Sequence, residues 1–565
     1  MSSLEHTHTN PRRIHAQAIK TATTDRSLLN TLITLYSKSN LLSDALNLFR
    51  TIPSPNVVSW TALISAYSNS LLSLHHFVSM LRHPTLPNQR TLASLLKTCA
   101  SLPSLCFGLQ LHSLSIKLSL SAQPFTASAL VSFYCKTHFP YEGCKVLDEM
   151  SERDEVCYST VIGGLAQNAK PIEALEYFAN MRRFDLMSNM YSVSGAFSAV
   201  SELAALEQCR IIHGHAVVVG LDLNVIVGSA LIDGYGKCGL VVEARRVFDE
   251  LKPWLNLIGW NSMMAAYAQQ GDKGAVIELF GLMEGGGLVP DAYSFLAVLT
   301  VFYNAGLAEE VERWLTSMKV DYGLEPWIEH YTCLVGALGR VGRLVDAEKI
   351  ALAMPFEPDA AVWRVLLSTC AYHGEADMAW KMSKRLLELD QNDDSAYVIV
   401  ANVFAAVGRM DEVKEVRKLM KDRRVRKEGG RSWIEVHGQV HIFLAGDQTH
   451  GRTDEIYTKL AELMEEIEKL GYVPVWDEIL HEVKEREKRE ALWYHSEKLA
   501  LAYGVLSGAA PPGKALRIVK NLRICRDCHE AFKYFSRVVE REILVRDVNR
   551  YHRFLDGSCT CGDYW

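Results

Sequence analysis

The sequence predicts an all-α solenoid of helical hairpins, wound into a superhelix, followed by a small α/β domain. Three observations carry that expectation. The chain has 565 residues, too many for one hydrophobic core, so several domains or a repeat array are required. From Ile14 to Lys427 apolar residues keep helical spacing and recur in related units. After Lys427 the pattern changes, and cysteines and histidines gather towards Trp565. Composition narrows the class. With 48% hydrophobic and 22% charged residues the chain is not largely disordered. Its 36 glycines and 17 prolines exclude collagen-like and proline-rich architectures. The best apolar run, Tyr397 to Val407, is short and contains Asn402, so no membrane-spanning helix is expected. A formal net charge of -6 gives no global attraction for nucleic acid, so such a partner has to be held by local groups.

The opening Met1–Asn10 is polar and carries Glu5, with Arg12 and Arg13 close behind. It has no apolar core for a secretory signal and makes at best a weak organellar transit peptide. The repeats follow. Asn30-Thr-Leu-Ile-Thr-Leu-Tyr36 recurs as Ser128-Ala-Leu-Val-Ser-Phe-Tyr134 and Ser229-Ala-Leu-Ile-Asp-Gly-Tyr235, at spacings of 98 and 101 residues. Ser59-Trp-Thr-Ala-Leu-Ile64, Cys157-Tyr-Ser-Thr-Val-Ile162 and Gly259-Trp-Asn-Ser-Met-Met264 keep the same rhythm. Each triplet thus holds three units of 31 to 36 residues, a period that means a helical solenoid. Within a unit, Leu29, Leu32, Ile33 and Tyr36 line one helix face. Leu42, Ala45, Leu46 and Phe49 line a second, after a break at Ser39-Asn40, and Pro53 and Pro55 end it. One hairpin cannot bury both stripes; stacking on its neighbours does. A protein-binding tetratricopeptide array would share this pattern.

Ser432–Val436 and Gln439–Phe443, joined at His437-Gly438, read as a β-hairpin. An amphipathic helix is expected from Thr453 to Leu470, broken by Gly471-Tyr-Val-Pro474. Glu482–Glu490 is a mixed-charge run that reads as a solvated helix face. Ala515–Leu522 reads as a strand, His529–Val539 as a helix and Glu542–Asn549 as a strand. Of 13 cysteines, nine are scattered from Cys99 to Cys370, as buried free thiols of a reducing compartment would be. The other four, Cys525, Cys528, Cys559 and Cys561, cluster beside histidines and read as metal ligands before a disulfide framework.

His495-Ser-Glu497 followed by Cys525-Arg-Asp-Cys528 matches the zinc deaminase signature in order and type. One imidazole and two thiolates leave a fourth zinc position open for water. Zinc lowers that water's pKa for attack on C4 of cytosine. Glu497, not a ligand, would carry the proton from water to the ring and the leaving ammonia. Two cysteines at a helix N-terminus would be favoured as thiolates. The proline usual before the first cysteine is Ile524 here. The competing reading is a redox or structural cysteine pair beside an unrelated His-x-Glu.

The unit starts, such as Val57-Val-Ser-Trp-Thr-Ala-Leu-Ile, and the ends Leu86-Pro-Asn88 and Leu288-Val-Pro-Asp291 resemble the plant pentatricopeptide repeat family with alternating P, L and S repeats. His495-Ser-Glu-Lys-Leu-Ala500, Arg517-Ile-Val-Lys-Asn-Leu522 and the closing Tyr551–Trp565 resemble its C-terminal DYW domain. One departure is Gly429-Gly430, where the family has Pro-Gly. The resemblance implies a cytidine-deaminase-like fold for the zinc-binding α/β domain. It implies S repeats at 26–56, 124–154, 225–256 and 328–359, P repeats at 57–88, 155–189 and 257–291, and L repeats at 89–123, 190–224 and 292–327. A partial unit at 1–25 precedes this array of 26–359. Two degenerate E-type repeats at 360–427 and the deaminase-like domain at 428–565 follow. One repeat reads one base. The reading pairs would be Asn30/Asn56, Thr61/Asn88, Ser128/Asp154, Ser159/Asn189, Ser229/Asn256, Asn261/Asp291 and Thr332/Asp359, preferring C, A, gap, G, A, gap, A, U, gap, G. The same residue types also favour helix caps and turns. The resemblance further implies two zinc ions, the second held structurally by His529, His552, Cys559 and Cys561. His529, next to Cys528, could instead hydrogen-bond to a ligand. The expected activity is site-specific cytidine-to-uridine editing of single-stranded organellar RNA, with other editing factors as possible partners. The mitochondrion stands ahead of the chloroplast, and neither a membrane nor DNA is expected as a partner. The rivals are a non-catalytic RNA-binding scaffold that recruits a separate deaminase, and an endoribonuclease.

Overall fold

A computed structural model describes residues 10–20, 25–150, 153–427, 429–475, 492–510, 513–548 and 550–563. The mixed-charge run Glu482–Glu490, the terminal Tyr564-Trp565 and Asn549 at the end of the last expected strand lie outside them. The described chain forms two compact units, Met1–Glu202 and Leu203–Trp565. No described helix is long and apolar enough to cross a membrane.

The first unit is a stack of helical hairpins. Arg26–Lys38 pairs with Leu42–Arg50, Val57–Ala66 with Leu71–Arg82, Pro124–Lys136 with Pro140–Asp148, and Glu155–Gln167 with Pro171–Arg183. Asn40, at φ +56, turns the first hairpin; asparagine tolerates the left-handed region better than most residues. Leu32, Ile33 and Tyr36 are buried on one helix, Ala45, Leu48 and Phe49 on the next. The hairpins are then locked together. Phe49 meets Trp60 of the following hairpin edge to face at 4.7 Å. His15 and His112 share hydrogen bonds with the hydroxyls of Tyr36 and Tyr134, at 2.8 and 2.7 Å.

The second unit repeats these devices. Phe248 meets Trp260 at 4.8 Å, and His213 bonds to Tyr235 at 2.8 Å. The hairpins run on through Ala360–Tyr372 with Ala376–Leu389, and Asp394–Ala406 with Met410–Asp422. A six-stranded sheet follows: β1 (Arg431–Val436), β2 (Gln439–Leu444), β3 (Leu516–Lys520), β4 (Ile543–Arg546), β5 (Tyr551–Leu555) and β6 (Ser558–Cys559), in the order β2-β1-β3-β4-β5-β6. The β1–β2 turn is His437-Gly438, both at positive φ, which suits the twist of a two-residue hairpin. β3 and β4 are parallel, so the chain must cross over between them, and the helix Arg526–Val538 is that crossover. That helix, Thr453–Lys469 and Ser496–Leu506 bury Leu460, Met464, Leu499, Phe532 and Phe535 against Ile434, Ile543 and Phe554 of the sheet.

Within this unit the sheet also completes two repeat helices. The helix Leu206–Val218 starts at Ala205, which has no capping side chain. Glu435 of β1 supplies one, accepting from the backbone N–H groups of Glu207 and Gln208 at 2.7 and 2.9 Å. Trp433 donates to the carbonyl of Leu203 at 2.9 Å. At the end of Val225–Lys237, the Tyr551 hydroxyl donates to the carbonyl of Lys237, and Arg517 to that of Cys238 at 3.0 Å. These bonds satisfy helix-end groups that have no intrahelical partner.

Eight of the nine scattered cysteines are buried, and burial pushes the Cys99 and Cys370 thiols up to about 11 and about 12. Cys106 departs from the expected burial. It lies on the outer face of Leu105–Lys117 and is exposed.

Candidate functional site

Two helix N-termini converge on one point. His495 is the N-cap of Ser496–Leu506, with Glu497 in its first turn. Cys525 is the N-cap of Arg526–Val538, and its sulfur accepts from the backbone N–H of Cys528 at 3.4 Å. The donor atoms of His495, Glu497, Cys525 and Cys528 all lie within 4.8 Å of one another. The Nδ1 of His495 is 3.5 Å from the Cys525 sulfur and 3.3 Å from that of Cys528. A nitrogen and a sulfur held tetrahedrally by one zinc are about 3.5 Å apart at ordinary bond lengths. The imidazole and two thiols therefore fit zinc in both donor type and spacing. The Cys528 thiol and the His495 imidazole both favour a thiolate at Cys525, against the opposing effect of burial.

Glu497 is fully buried. Its Oε2 accepts from the Lys520 ammonium at 2.5 Å and from the Ser496 hydroxyl at 3.1 Å. Its Oε1 has no hydrogen-bond partner among the described residues. Burial alone would raise this carboxyl, but Lys520 and then His495 outweigh it and hold it at about 2. A second buried ion pair joins the two helices. Lys498 donates to Asp527 at 2.6 Å and to the carbonyl of Leu492 at 3.0 Å. The other Asp527 oxygen accepts from the Tyr472 hydroxyl and the Val475 N–H at 2.5 and 3.0 Å. Both ions thus leave water with their bonds replaced, which such a pair requires.

The second expected ligand set also assembles: the donor atoms of His529, His552, Cys559 and Cys561 lie within 4.8 Å of one another. His529 Nε2 is 3.1 Å from the Cys561 sulfur, and His552 Nδ1 is 3.7 Å from that of Cys559. The other nitrogen of His552 faces Asp547 at 3.3 Å, the carboxylate that orients a metal-binding imidazole. The Cys559 thiol holds Cys561 as a thiolate, down to about 2, against burial. Four such ligands make a closed site with no place for water.

The expected base-reading residues divide by position. The second member of each pair starts the next helix: Asn56, Asn88, Asp154, Asn256, Asp291 and Asp359 are N-caps. Asn189 accepts from the N–H groups of Tyr191 and Ser192 at 3.0 Å. The capping reading therefore holds structurally. It uses one oxygen, so the amide nitrogen or second carboxylate oxygen is not consumed by it. Ser159 bonds to Asn189 at 3.1 Å and Asn261 to Asp291 at 2.9 Å, so these pairs meet. Thr61 reaches Thr91, which bonds to Asn88, and Ser128 reaches Cys157, which Asp154 caps. Ser229 and Thr332 turn back to the carbonyls of Val225 and Ile328 at 2.7 and 2.8 Å. Asn30 is buried, its oxygen without a partner among the described residues. Ser159 and Asn189 line a cleft of about 420 Å³.

Three features escape a reading of motifs. One is the pair Lys498–Asp527, lodged inside motifs already noted for their neighbours. Another is a set of exposed apolar side chains two residues after the caps: Val58, Phe125, Val156 and Tyr191 in the first unit, Ile226, Ile258 and Tyr293 in the second. The signal for these is an apolar residue recurring where a helix start should be polar. The third is a bank of arginines. Arg340 lies over the Tyr303 ring at 4.2 Å. Burial, then Arg340, lowers the pKa of Arg523. Burial, Arg340 and Arg523 likewise lower Arg550 to about 10.

Comparison with known proteins adds the following. The DYW family of nucleic acid deaminases matches residues 471–565, the E motif 373–435, and the PPR repeat 27–54, 125–154, 156–186, 229–252 and 258–288. Pentatricopeptide repeat-containing protein At4g33170 of Arabidopsis thaliana is 37% identical over 98% of the chain, which spans 56% of that relative's length. The protein At2g03880, named mitochondrial, is 38% identical over 95% of the chain and 85% of its own length. At3g49170, named chloroplastic, is 34% identical over 98% of the chain and 66% of its own length. Among solved structures, PPR10 in complex with an 18-nucleotide psaJ RNA element matches 72% of the chain and 62% of its own, at TM-score 0.54 and 18% identity. That likeness is one of fold.

Proposed function

The chain belongs to the pentatricopeptide repeat proteins that carry an E motif and a C-terminal DYW deaminase domain, and from that premise we propose that it is a site-specific RNA cytidine deaminase. Its repeats bind single-stranded RNA, and its C-terminal domain converts one cytidine to uridine. In this reading residues 26–359 are the reading array, 360–427 a spacer, and 428–565 the deaminase domain. The PPR10 complex supports RNA as the partner. The exposed residues Val58, Val156 and Ile258 offer apolar faces on which bases can rest. Relatives named mitochondrial and chloroplastic support an organellar location.

The observation that carries the catalytic half is Glu497. A purely structural metal site needs no buried carboxylate with a free oxygen beside three metal donors. His495, Cys525 and Cys528 would hold zinc, which would supply Lewis-acid activation of water. Lys520 and Ser496 hold Glu497 Oε2, so Oε1 is left to take the proton from water and return it to the ring and the departing amine. Water replaces the amine at C4 and ammonia leaves. His529, His552, Cys559 and Cys561 would hold a second, structural zinc.

The test is rescue. RNA from plants lacking the protein is sequenced after complementation with wild type or Glu497→Ala. Cytidines that regain conversion with wild type alone establish deamination by this chain. Equal rescue by both would make it a scaffold for another enzyme.

A further inference from the structure

Strand β1 departs from its own pattern at one position. Its inward-facing residues are Ser432, Ile434 and Val436, all buried, while Trp433 and Glu435 face the other way. Two of the three inward residues are apolar, as a core strand requires. Ser432 is not, although it is fully buried. A hydroxyl taken out of water is costly unless it is bonded. Among the described residues the Ser432 hydroxyl bonds to Ser496, oxygen to oxygen, at 2.9 Å.

The direction of that bond follows from the next one. Ser496 donates to Glu497 Oε2 at 3.1 Å, and an ionised carboxylate can only accept. The single hydroxyl hydrogen of Ser496 is thus committed, and Ser432 has to be the donor to its oxygen. The result is a buried chain of fixed direction, from Ser432 to Ser496 to Glu497, in which each bond strengthens the next.

Glu497 needs such a chain. Lys520 donates to Oε2 at 2.5 Å, and Oε1 has no hydrogen-bond partner among the described residues. A carboxylate bonded once can pivot about that oxygen and swing the other aside. A second bond from another direction stops it, and Ser496 supplies one. A serine hydroxyl is itself a free rotor, however. Ser432 removes that freedom by occupying the Ser496 oxygen. Ser432 and Lys520 also stand opposite each other across the β1–β3 ladder, so one rung of the sheet places both anchors. The strand is pinned in turn, since Trp433 and Glu435 bond to the repeat helices from its other face.

We propose that Ser432 is a positioning residue of the deamination site: acting through Ser496, it fixes the Glu497 carboxylate with Oε1 free for the proton transfers. The inference rests on the deaminase reading for what Oε1 does. The competing account is a serine that only satisfies Ser496 within the core.

The experiment uses full-length protein with its metal. The substrate is the RNA segment around a cytidine that wild type restores in the complementation test. Wild type, Ser432→Ala, Ser496→Ala and the double variant are compared for conversion rate against RNA concentration, RNA affinity by fluorescence anisotropy, and zinc content. Ser432→Ala should lower the maximal rate about three- to tenfold, the worth of one net hydrogen bond, with the half-saturating RNA concentration, RNA affinity and zinc content unchanged. In the Ser496→Ala background the same substitution should change nothing more. A binding readout accompanies the rate. RNA whose target base lacks the 4-amino group can add water at C4 but has nothing to expel, and such a mimic of the transition state binds more tightly than substrate. Its advantage over the cytidine RNA should shrink in Ser432→Ala by about the same factor as the rate. An unchanged rate, or losses that multiply independently in the double variant, overturns the proposal. So does loss of zinc or of helical circular dichroism in Ser432→Ala, which would make the serine a structural residue. Conversion by wild type and all variants alike removes the role of Ser432 and leaves deamination standing. If wild type converts no cytidine and shows no preference for the mimic, the inference falls together with the deaminase reading.

Discussion

Glu497 shows how much one side chain depends on its neighbours. The folded protein holds its carboxyl at about 2, whereas in the unfolded chain it returns to about 4.3. Between those values the unfolded state binds more protons. The group's stabilisation is therefore complete above about 4.3 and is lost as pH falls towards 2, a difference of about 3 kcal/mol. Thermal unfolding between pH 6 and 3 should thus fall more steeply for wild type than for Glu497→Gln, and parallel curves would assign the acid sensitivity elsewhere. Lys498 and Asp527 offer a sharper case, since both side chains are fully buried. Lys498→Met leaves Asp527 charged and unpaired in the core and should cost about 3–5 kcal/mol, measured by urea unfolding of the full chain. Zinc content after dialysis should fall with it, because that pair joins the two helices that present His495, Cys525 and Cys528.

At the scale of elements, the helices owe their starts to residues that sequence patterns identify readily. Asn56, Asp154 and Asp291 precede apolar-periodic stretches, and each caps the helix that follows. The paired cysteines at a helix N-terminus, and the hairpin at His437-Gly438, were legible for the same reason: both depend on neighbours within a few residues. Glu435 was not. It lies in a strand of alternating burial, and nothing local marks it as a cap for a helix 228 residues earlier. Glu435→Ala should destabilise that helix by about 0.5–2 kcal/mol, with amide exchange at Glu207 and Gln208 rising while that at Leu279 or Val298 is unchanged. The histidines behind the repeated tyrosines were visible in principle. His15, His112 and His213 recur 21 or 22 residues before Tyr36, Tyr134 and Tyr235. A histidine in an apolar helix is easily passed over as a surface residue, because its partner is on the next helix.

For the whole molecule, the division of labour follows from where charge and metal donors are placed. A net charge of -6 gives no global attraction for an anion, so positive field is a local matter, as at the bank of Arg340 and Arg523. Composition shows the balance but not the bank, since these arginines come together only through folding. Metal should couple to proton balance. In the metal-free protein Cys525 and Cys561 are the acidic members of their pairs, while Cys528 and Cys559 are pushed up as thiols, by burial and by the Cys561 thiolate respectively. Zinc uptake must displace those thiol protons, so binding at pH 7 should release protons and the affinity should fall as pH falls. Calorimetry in buffers of different ionisation enthalpy measures that number, and none released would exclude the cysteine ligands. Chelation should loosen the tail around Cys559 and Cys561, read by proteolysis beyond Gly513, while the repeat hairpins keep their helical circular dichroism.

The long reach of Glu435 also sets a timetable. Glu207 is synthesised 228 residues before the side chain that completes its helix. At ordinary rates of 5–20 residues per second, the ribosome needs roughly 11 to 46 s to cover that distance. For that interval the helix Leu206–Val218 has bare N–H groups at its start, and Val225–Lys237 lacks the donors that Arg517 and Tyr551 later bring to its end. A nascent chain that stalls in the repeats therefore displays two unfinished helix ends, a ready signal by which a chaperone could distinguish an incomplete product from a finished one.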